Sequence, residues 1–351
     1  MRKTAVRLAL VILLGVFAVG TLIAGGTKEG PKAKYSFYLF SVGFWHPYLI
    51  AHIHGAQEAA SNHPIDLVVV DGRNDSGFQA NQVIQSLAKK PDAILIAPVT
   101  EQGAVPALRE AKKAGIPVFT TDRNVADPSL RLAYVGSSQA AIGKQAGQYA
   151  VDWLQKSGLP KPWKVGILQG LMGNIGNTER TGGWLDIINP LVNSGDIKIV
   201  ADIAGDWSRE TTVTKMQELL VKTRDFNVIM ASNDAEAAGA SIAMDAAGLK
   251  AGKDVQLIGV DGDPDGLQMI KDGKMLATVT QSAWLQGYWA VEMGWKYLTE
   301  GKLPPEDKFP NHVITTPSYT VDKDNVAKFG PFGEPVRVNP TDVITAPPLP
   351  Y

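Results

Sequence analysis

No cysteine occurs among the 351 residues of the chain, so neither a disulfide framework nor a thiolate metal site can form. An excess of charge of either sign is also missing, because 34 basic and 35 acidic residues leave a formal net charge of −1 at pH 7. Proteins that bind nucleic acid generally carry an excess of lysine and arginine, which neutralises phosphates. The composition therefore argues against a nucleic acid partner.

Long apolar runs are missing after residue 30, so we expect no membrane span in that part of the chain. The one long run, LALVILLGVFAVGTLIA, follows Arg2, Lys3 and Arg7 and is followed by small residues. This order is typical of a secretory signal peptide, which we predict over residues 1–26. A retained membrane anchor stays open, because the run is long for a signal core. We expect the mature chain in the periplasm or otherwise outside the cytoplasm.

The overall composition is that of a globular protein, with 45% hydrophobic and 20% charged residues, and the length suggests two domains. From Tyr35 onward, strand-like apolar runs alternate with single helices, and the alternation restarts at KVGILQ. Such alternation predicts right-handed crossovers and a parallel sheet in each half. We therefore predict an α/β fold of two doubly wound, Rossmann-like lobes.

The domain boundaries follow from the order of these elements. A long helix from about Ser282 and the strand HVITT come after the second half is complete, so we expect them to return to the first lobe. The C-terminal tail is rich in proline and has few core residues, which predicts an extended surface segment. The predicted regions are a first lobe over 34–137 and 282–316, a second lobe over 138–281 and 317–330, and a tail over 331–351.

Charged and amide side chains follow several of the predicted strands. Asp122 and Arg123 come directly after the apolar run IPVFTT, and such charges are costly to bury without a partner. In an open parallel sheet the ligand crevice lies beyond the carboxyl ends of the strands. A helix cap or a surface ion pair would explain one such position, but the pattern recurs. Similar strand ends lead to Arg180, Asn233, Asp261 and Gln281.

Three patterns that can indicate a cofactor, a metal or catalysis are incomplete here. The loop QGLMGNIGNTER has GxxGxxG spacing instead of GxGxxG, so we predict no nucleotide cofactor. His52 and His54 are two residues apart on a predicted helix and point to different faces, whereas helical metal ligands need i and i+4 spacing. No serine lies in a nucleophile elbow. We therefore predict binding without catalysis, metal or cofactor.

The charges at the strand ends balance, since Asp122 and Asp261 offset Arg123 and Arg180. A crevice that is neutral overall but rich in donors and acceptors suits an uncharged, polyhydroxylated ligand, which charged groups bond with strict orientation. Trp207 follows another strand and would offer an apolar face to the C–H groups of a sugar.

Six segments, in this order and spacing, carry a resemblance to a known family: HPYLIAHIHGAQEAA, PVFTTDRN, QGLMGNIGNTERTGGW, ASNDAEAAGA, IGVDGDPDG and DGKMLATVTQ. Over roughly residues 34–330 the chain resembles the periplasmic sugar-binding proteins of the ribose-binding type, which serve ATP-driven uptake transporters. The resemblance implies two lobes joined by a three-segment hinge, with the ligand cleft between them. It also implies lobe closure on the ligand and delivery to a membrane permease.

The resemblance also implies ligand contacts, residue by residue. In ribose binders asparagine usually stands at the position of His46, and phenylalanine at those of Leu49 and Val260, so ribose itself is in doubt. Galactose-type members carry an acidic and histidine pair where Asn174 and Gly176 stand here, which favours a pentose, a polyol or an inositol over galactose. The implied contacts are His46, Tyr48, Leu49, Asp122, Arg123, Arg180, Trp207, Asn233, Val260, Asp261 and Gln281.

Two other classes of function stay open at this point. The same two-lobed module serves as a sugar sensor in signalling, chemotaxis and transcription factors, although no DNA-binding headpiece is present in the sequence. An enzyme is the other alternative, because a doubly wound fold does not fix function. We expect a monomer, and a chemoreceptor that reads the closed form is a partner that the sequence leaves open.

Overall fold

The computed structural model describes residues 34–336 and 346–351. The predicted signal peptide over residues 1–26 lies outside this part. Strands and helices are numbered here along the chain, and the strands form two sheets. The strands of the first sheet are β1 (Tyr35–Ser41), β2 (Ile65–Asp71), β3 (Ala93–Ile96), β4 (Val118–Thr121), β5 (Ala133–Gly136) and β11 (Val313–Thr315).

The first sheet has the order β11-β5-β4-β3-β1-β2, and every pairing in it is parallel. The order reverses at β1, which lies between β2 and β3. Such a switch point opens a crevice beyond the carboxyl ends of the neighbouring strands. The loops after β1, β3 and β4 therefore meet at one edge of the first lobe.

The second sheet repeats this arrangement with the order β12-β10-β9-β8-β6-β7. Its pairings are parallel except for β10 with β12, which run antiparallel at the sheet edge. The switch point lies at β6, which pairs with both β7 and β8. The strands are β6 (Trp163–Gln169), β7 (Ile197–Ala204), β8 (Val228–Ala231), β9 (Gln256–Asp261), β10 (Ala277–Thr280) and β12 (Thr320–Asp322).

Helices cover the sheets and start at polar caps in most cases. Asn174, Ser208 and Asn233 each accept a backbone N–H in the first turn of the helix that follows, which satisfies an otherwise unpaired donor. The helices are α1 (Pro47–Ser61), α2 (Ser76–Leu87), α3 (Val105–Lys113), α4 (Gln139–Lys156), α5 (Ile175–Asn193), α6 (Arg209–Lys222), α7 (Asp234–Ala246), α8 (Pro264–Lys271) and α9 (Ala283–Glu300).

The chain passes between the two lobes at three places: after β5, after β10 and after β11. The three crossing segments are joined by hydrogen bonds. The Ser137 and Thr316 hydroxyls lie 3.0 Å apart, and the Ser282 hydroxyl donates to the Pro317 carbonyl at 3.3 Å. The long helix α9 packs against α1 in the core of the first lobe, around Trp284 and Trp289.

The tail differs from the extended surface segment that its prolines suggest. Phe332 lies in a short 3-10 turn, Pro331–Gly333, and only 3% of its surface is exposed. Near the C-terminus, Tyr351 packs at the edge of the first core, and the Trp289 indole donates to the Pro347 carbonyl at 2.8 Å. Proline content restricts helix and strand formation but does not stop the few apolar residues between prolines from being buried.

Candidate ligand-binding site

The polar residues after the strands meet where the carboxyl ends of the two sheets face each other. On the first lobe, the Tyr48 hydroxyl donates to the Asp122 carboxylate at 2.9 Å. Tyr48 is in the first turn of α1, which follows β1, and Asp122 follows β4. The hydrogen bond therefore joins segments that follow two different strands of the first sheet. Asp122 has a φ of 60°, a left-handed conformation that is uncommon for residues other than glycine.

One amide connects this pair with the second lobe. The Gln281 side chain, just after β10, donates from Nε2 to the Tyr48 hydroxyl, and its Oε1 accepts from Arg180 Nη2 at 2.6 Å. Asp122, Tyr48, Gln281 and Arg180 thus form a continuous hydrogen-bonded row across both lobes. Burial raises the pKa of Tyr48 well above its ordinary value, with a further contribution from Asp122, so the hydroxyl keeps its proton and donates.

Arg180 is held by several acceptors and is only 4% exposed. Its guanidinium also donates to the Ser232 carbonyl and to the Gln139 side chain. Burial lowers the pKa of Arg180, and Asp261 is the main group that opposes this effect. The helix that carries Arg180 lies close to α4, since a Cβ at Gly143 would come within 2.1 Å of the Arg180 carbonyl. This close approach requires glycine.

Trp207 lies beside the guanidinium, with 5.2 Å between Arg180 Cζ and the ring centroid. Such a distance allows a cation–π interaction. The ring also packs directly over the glycine-rich loop, because a Cβ at Gly170 would lie 2.3 Å from it. Trp207 has a φ of 62°, which is unusual for a bulky residue. Gly170 therefore makes room for the Trp207 ring.

A buried carboxylate supports this unusual backbone. Glu236 is fully buried, and its two oxygens accept the backbone N–H groups of Trp207 at 2.8 Å and of Ser232 at 3.1 Å. Burial raises the pKa of Glu236 well above its ordinary value, whereas these two N–H donors lower it. Asn233 accepts the Glu236 N–H at 2.8 Å and donates to the Trp207 carbonyl at 3.3 Å. Glu236 and Asn233 thus fix the loop that presents Trp207.

Asp261 ends β9 with a φ of 107° and is 7% exposed. Burial raises the pKa of Asp261 to about 7, with Arg180 opposing and Asp263 and Asp122 adding to the rise. The Asp261 carbonyl accepts the Gln281 N–H at 3.2 Å. The carboxylate therefore titrates near neutral pH beside the hydrogen-bonded row.

Arg123 and His46 complete the polar side of the first lobe. Arg123 Nε lies 3.7 Å from the Asp122 carboxylate, and its Nη1 donates to the Val99 carbonyl at 2.9 Å. His46 caps α1, since its Nδ1 accepts the Tyr48 N–H at 3.2 Å. Burial, followed by Arg123, lowers the pKa of His46, which favours the neutral imidazole. Its Nε2 remains for a further hydrogen bond. Leu49 is buried in an apolar cluster beside Tyr48.

Val260 precedes Asp261 at the carboxyl end of β9. It is fully buried in the second lobe, in the same cluster as Ile258 and Val279. Residues two apart on a strand point to the same face, so Val260 shares the face of Ile258. Its contact with the ligand stays a prediction.

Three residues that the sequence did not single out take part in the site. Gln139 accepts from Arg180, Glu236 holds the Trp207 loop, and Gln286 Oε1 lies 3.3 Å from the Tyr48 hydroxyl oxygen. Gln286 is fully buried and also donates to Ser137 in a crossing segment at 2.8 Å. All three lie on helices, where polar residues are common. For Glu236 a signal exists, because Asn followed three residues later by Glu is a helix-start pattern.

Within residues 34–336 and 346–351, no group of three or more His, Asp or Glu side chains could hold a metal ion. The same residues contain no helix of the length and apolarity needed to cross a membrane. His52, one of the clustered histidines, is 1% exposed and lies 2.9 Å from the Thr121 hydroxyl, so it is part of the first lobe's interior.

Comparison with known proteins identifies the family. Residues 37–303 match the model of a family described as periplasmic binding protein domain. The chain belongs to this family. Membership confirms the resemblance inferred from the sequence and the α/β fold with two parallel-dominated sheets. It also confirms the prediction of a binding protein instead of an enzyme, since family members are transport components. Family membership further implies a location outside the cytoplasm.

Two relatives and one solved structure show the range of similarity. The galactofuranose-binding protein YtfQ of Escherichia coli (strain K12) is 35% identical over 71% of this chain and 77% of its own length. The ribose import binding protein RbsB of Bacillus subtilis (strain 168) is 29% identical over 76% of this chain and 82% of its own length. The solved structure is the periplasmic binding protein component of the arabinose ABC transporter from Shewanella sp. ANA-3, bound to α- and β-L-arabinofuranose. It is 30% identical, has a TM-score of 0.74, and the match covers 83% of this chain and 93% of that one.

Proposed function

We propose that this periplasmic binding protein captures a neutral sugar or polyol between its lobes and delivers it to the membrane permease of an ABC transporter. The row from Asp122 through Tyr48 and Gln281 to Arg180 carries the proposal, because it brings donors and acceptors of both lobes into one buried array. A ligand that replaces parts of this row with its own hydroxyls would bond both lobes at once. Family membership supports the same interpretation.

Within that class we favour a sugar in its five-membered ring form. The relatives support this choice, since one is named for galactofuranose and another is bound to L-arabinofuranose. Both ligands present hydroxyls at the edge of a compact ring and C–H groups on its faces. The half-buried Trp207 ring offers an apolar wall for such a face. A linear polyol or an inositol would satisfy the same donors and acceptors and stays within the proposal.

The proposed contacts come from both lobes. Opposite charges lie on each side, so the site matches hydroxyl groups better than a carboxylate or phosphate. Leu49 would supply apolar surface beside Tyr48. The remaining proposed contacts are His46, Tyr48, Asp122 and Arg123 of the first lobe and Arg180, Trp207, Asn233, Asp261 and Gln281 of the second.

A thermal-shift screen followed by calorimetry tests the function. The panel contains D-ribose, L-arabinose, D-galactose, xylitol and myo-inositol, with glutamate and phosphate as charged controls. A ligand at a thousandfold excess over its Kd stabilises the folded state by about 4 kcal/mol, which gives a clear shift in Tm. We expect a shift from one or more neutral compounds and from neither control. A shift from glutamate or phosphate alone would exclude a neutral-sugar site.

The location, oligomeric state and partners of the protein are part of the same proposal. Export by the N-terminal signal peptide, a monomeric state and a permease partner fit a diffusing receptor that meets its transporter at the membrane. A chemoreceptor that reads the closed form is a further proposed partner. Size-exclusion chromatography with light scattering of the mature chain checks the monomer.

A further inference from the structure

The turn Pro331–Gly333 lies beyond residues 37–303, the part that matches the family model. Phe332 within it has φ 53° and ψ 30°, a left-handed conformation that is strained for an aromatic residue. Such strain persists only where the surroundings fix the residue, and it is concentrated at functional sites and ligand clamps. The contacts that hold Phe332 in place therefore bear on the ligand site.

The Phe332 side chain is held by the first lobe. It is buried in the apolar cluster that contains Leu49, Val99 and Ala283. Its ring meets the Tyr48 ring edge-on, with 5.8 Å between centroids and an angle of 88° between the planes. This is a favourable geometry for two aromatic rings. The contact fixes the plane of Tyr48, whose hydroxyl connects Asp122 with Gln281.

The Phe332 backbone is held by the second lobe. Its N–H donates to the Gly262 carbonyl at 2.9 Å, and Gly262 directly follows Asp261. The next residue, Gly333, lies against a crossing segment, because a Cβ there would come within 2.5 Å of the Ser282 hydroxyl oxygen. One three-residue turn thus touches the first lobe, the second lobe and the hinge.

We propose that Phe332 is a positioning residue of the ligand site, which holds the Tyr48 ring so that its hydroxyl bridges Asp122 and Gln281. The tail turn is then an integral part of the binding site, although it lies outside the region that matches the family. This inference rests on the proposed function. Without the Phe332 ring, Tyr48 loses its edge contact and its hydroxyl no longer has one fixed direction.

A double-mutant cycle tests the proposal. The variants are Phe332→Ala, Tyr48→Phe and both together, and the probe is whichever of D-ribose, L-arabinose, xylitol and myo-inositol stabilises the parent most. We expect calorimetry to show at least tenfold weaker binding for Phe332→Ala. If Phe332 acts through the Tyr48 hydroxyl, the double variant binds within about threefold of Tyr48→Phe alone, since coupled residues are not additive.

The matched control is Phe329→Ala, since Phe329 is a half-buried aromatic just before the tail that packs against Tyr319 in the second lobe. We expect it to lower Tm while leaving the Kd unchanged. Phe332→Leu keeps apolar bulk at the position and replaces the alanine variant if that variant does not fold. We expect its loss of affinity to lie between those of the parent and Phe332→Ala. Parent-like Kd values in both Phe332 variants, or losses that multiply in the cycle, would overturn the proposal and leave the tail a packing element.

A readout without sugar separates this inference from the proposed function. In hydrogen–deuterium exchange of the ligand-free protein, we expect faster exchange over residues 46–50 in Phe332→Ala than in Phe329→Ala. If no compound binds the parent, the proposed function fails while faster exchange still supports the positioning role. Equal exchange in the two variants would contradict that role.

Discussion

The Tyr48 hydroxyl donates to the Asp122 carboxylate at 2.9 Å across 74 residues of sequence. The same oxygen accepts the Gln281 amide, so one phenol connects an acid of the first lobe with the segment that crosses to the second. Neither strand end alone makes this arrangement. It depends on the switch point at β1, which brings the loops after β1 and β4 together.

Tyr48→Phe should weaken sugar binding while leaving the fold intact. The change removes the hydroxyl, so the Asp122 carboxylate loses one buried donor and the Gln281 Nε2 group loses its acceptor, which costs about 1–3 kcal/mol. Calorimetry with the best ligand of the screen should show a Kd roughly 5- to 100-fold higher. Tyr297→Phe is the control, because Tyr297 packs on Phe119 in the first core. A parent-like Kd for Tyr48→Phe would remove the hydroxyl from the site.

Glu236→Gln should loosen the Trp207 loop. The amide keeps one acceptor oxygen, but its nitrogen cannot accept, so the N–H of Trp207 or of Ser232 loses its partner. We expect a loss of about 1–3 kcal/mol in the free energy of unfolding and weaker ligand binding. We also expect the ligand-induced change in tryptophan fluorescence to shrink.

Two variants separate the effect on Trp207 from general destabilisation. Glu218→Gln changes an exposed carboxylate on α6 and should alter neither stability nor fluorescence. Gly170→Ala places a Cβ against the Trp207 ring and should reduce the fluorescence response as Glu236→Gln does. If Gly170→Ala responds to ligand like the parent, Trp207 is not the wall of the site.

Much of the site is predictable from the sequence because apolar runs end in polar residues. The rule that ligands bind beyond the carboxyl ends of parallel strands singles out Asp122, Arg123 and Asp261 from their positions in the chain. Helical residues such as Gln286 give no comparable signal, since only the packing of α9 against α1 brings its amide to Tyr48. Local pattern cannot reveal such contacts, because they depend on tertiary arrangement.

One expectation failed for an identifiable physical reason. The tail was expected on the surface because prolines dominate it, but the Phe332 side chain is buried in an apolar cluster of the first lobe. Its partner Tyr48 is far away in sequence, so composition alone could not identify the contact.

Asp261→Asn should stabilise the folded protein at neutral and alkaline pH. The folded-state pKa is about 7 against an ordinary value of 3.8, so the folded state retains a proton that the unfolded state has lost between these values. The parent therefore loses stability as pH rises from about 4 to 7, by at most roughly 4 kcal/mol, and then levels off. Asparagine does not titrate, so the Tm of Asp261→Asn should exceed that of the parent only above about pH 4.

The control for pH is Asp272→Asn, an exposed acid at the end of α8, whose Tm difference from the parent should stay small throughout. The ionised Asp261 carboxylate accepts hydroxyl hydrogen bonds better than the neutral acid. We therefore also expect the parent's affinity for sugar to rise with pH through about 7. An affinity that is constant from pH 5.5 to 8.5 would mean that Asp261 does not contact the ligand.

Gln281→Met should impair lobe closure, because it keeps the size of the side chain and removes its three hydrogen bonds, to Tyr48, Arg180 and Gln139. Gln281 donates to Tyr48 and accepts from Arg180, so it connects the first-lobe and second-lobe side chains of the row. A ligand shifts a hinge equilibrium only through its preference for the closed state, and reversing a population from mostly open to mostly closed takes about 5.5 kcal/mol. Small-angle scattering should show a smaller radius of gyration for the parent with sugar than without.

For Gln281→Met at saturating sugar, we expect a smaller decrease in radius and at least tenfold weaker binding, since losing the charge-assisted bond from Arg180 alone costs about 1.5–3 kcal/mol. Gln145→Met is the matched control: its amide donates to Ser318 in a crossing segment at 2.8 Å and belongs to no part of the row. It should close like the parent. If the parent's scattering curve does not change with sugar, closure is not the mechanism, because a ligand bound equally by open and closed states leaves their populations unchanged.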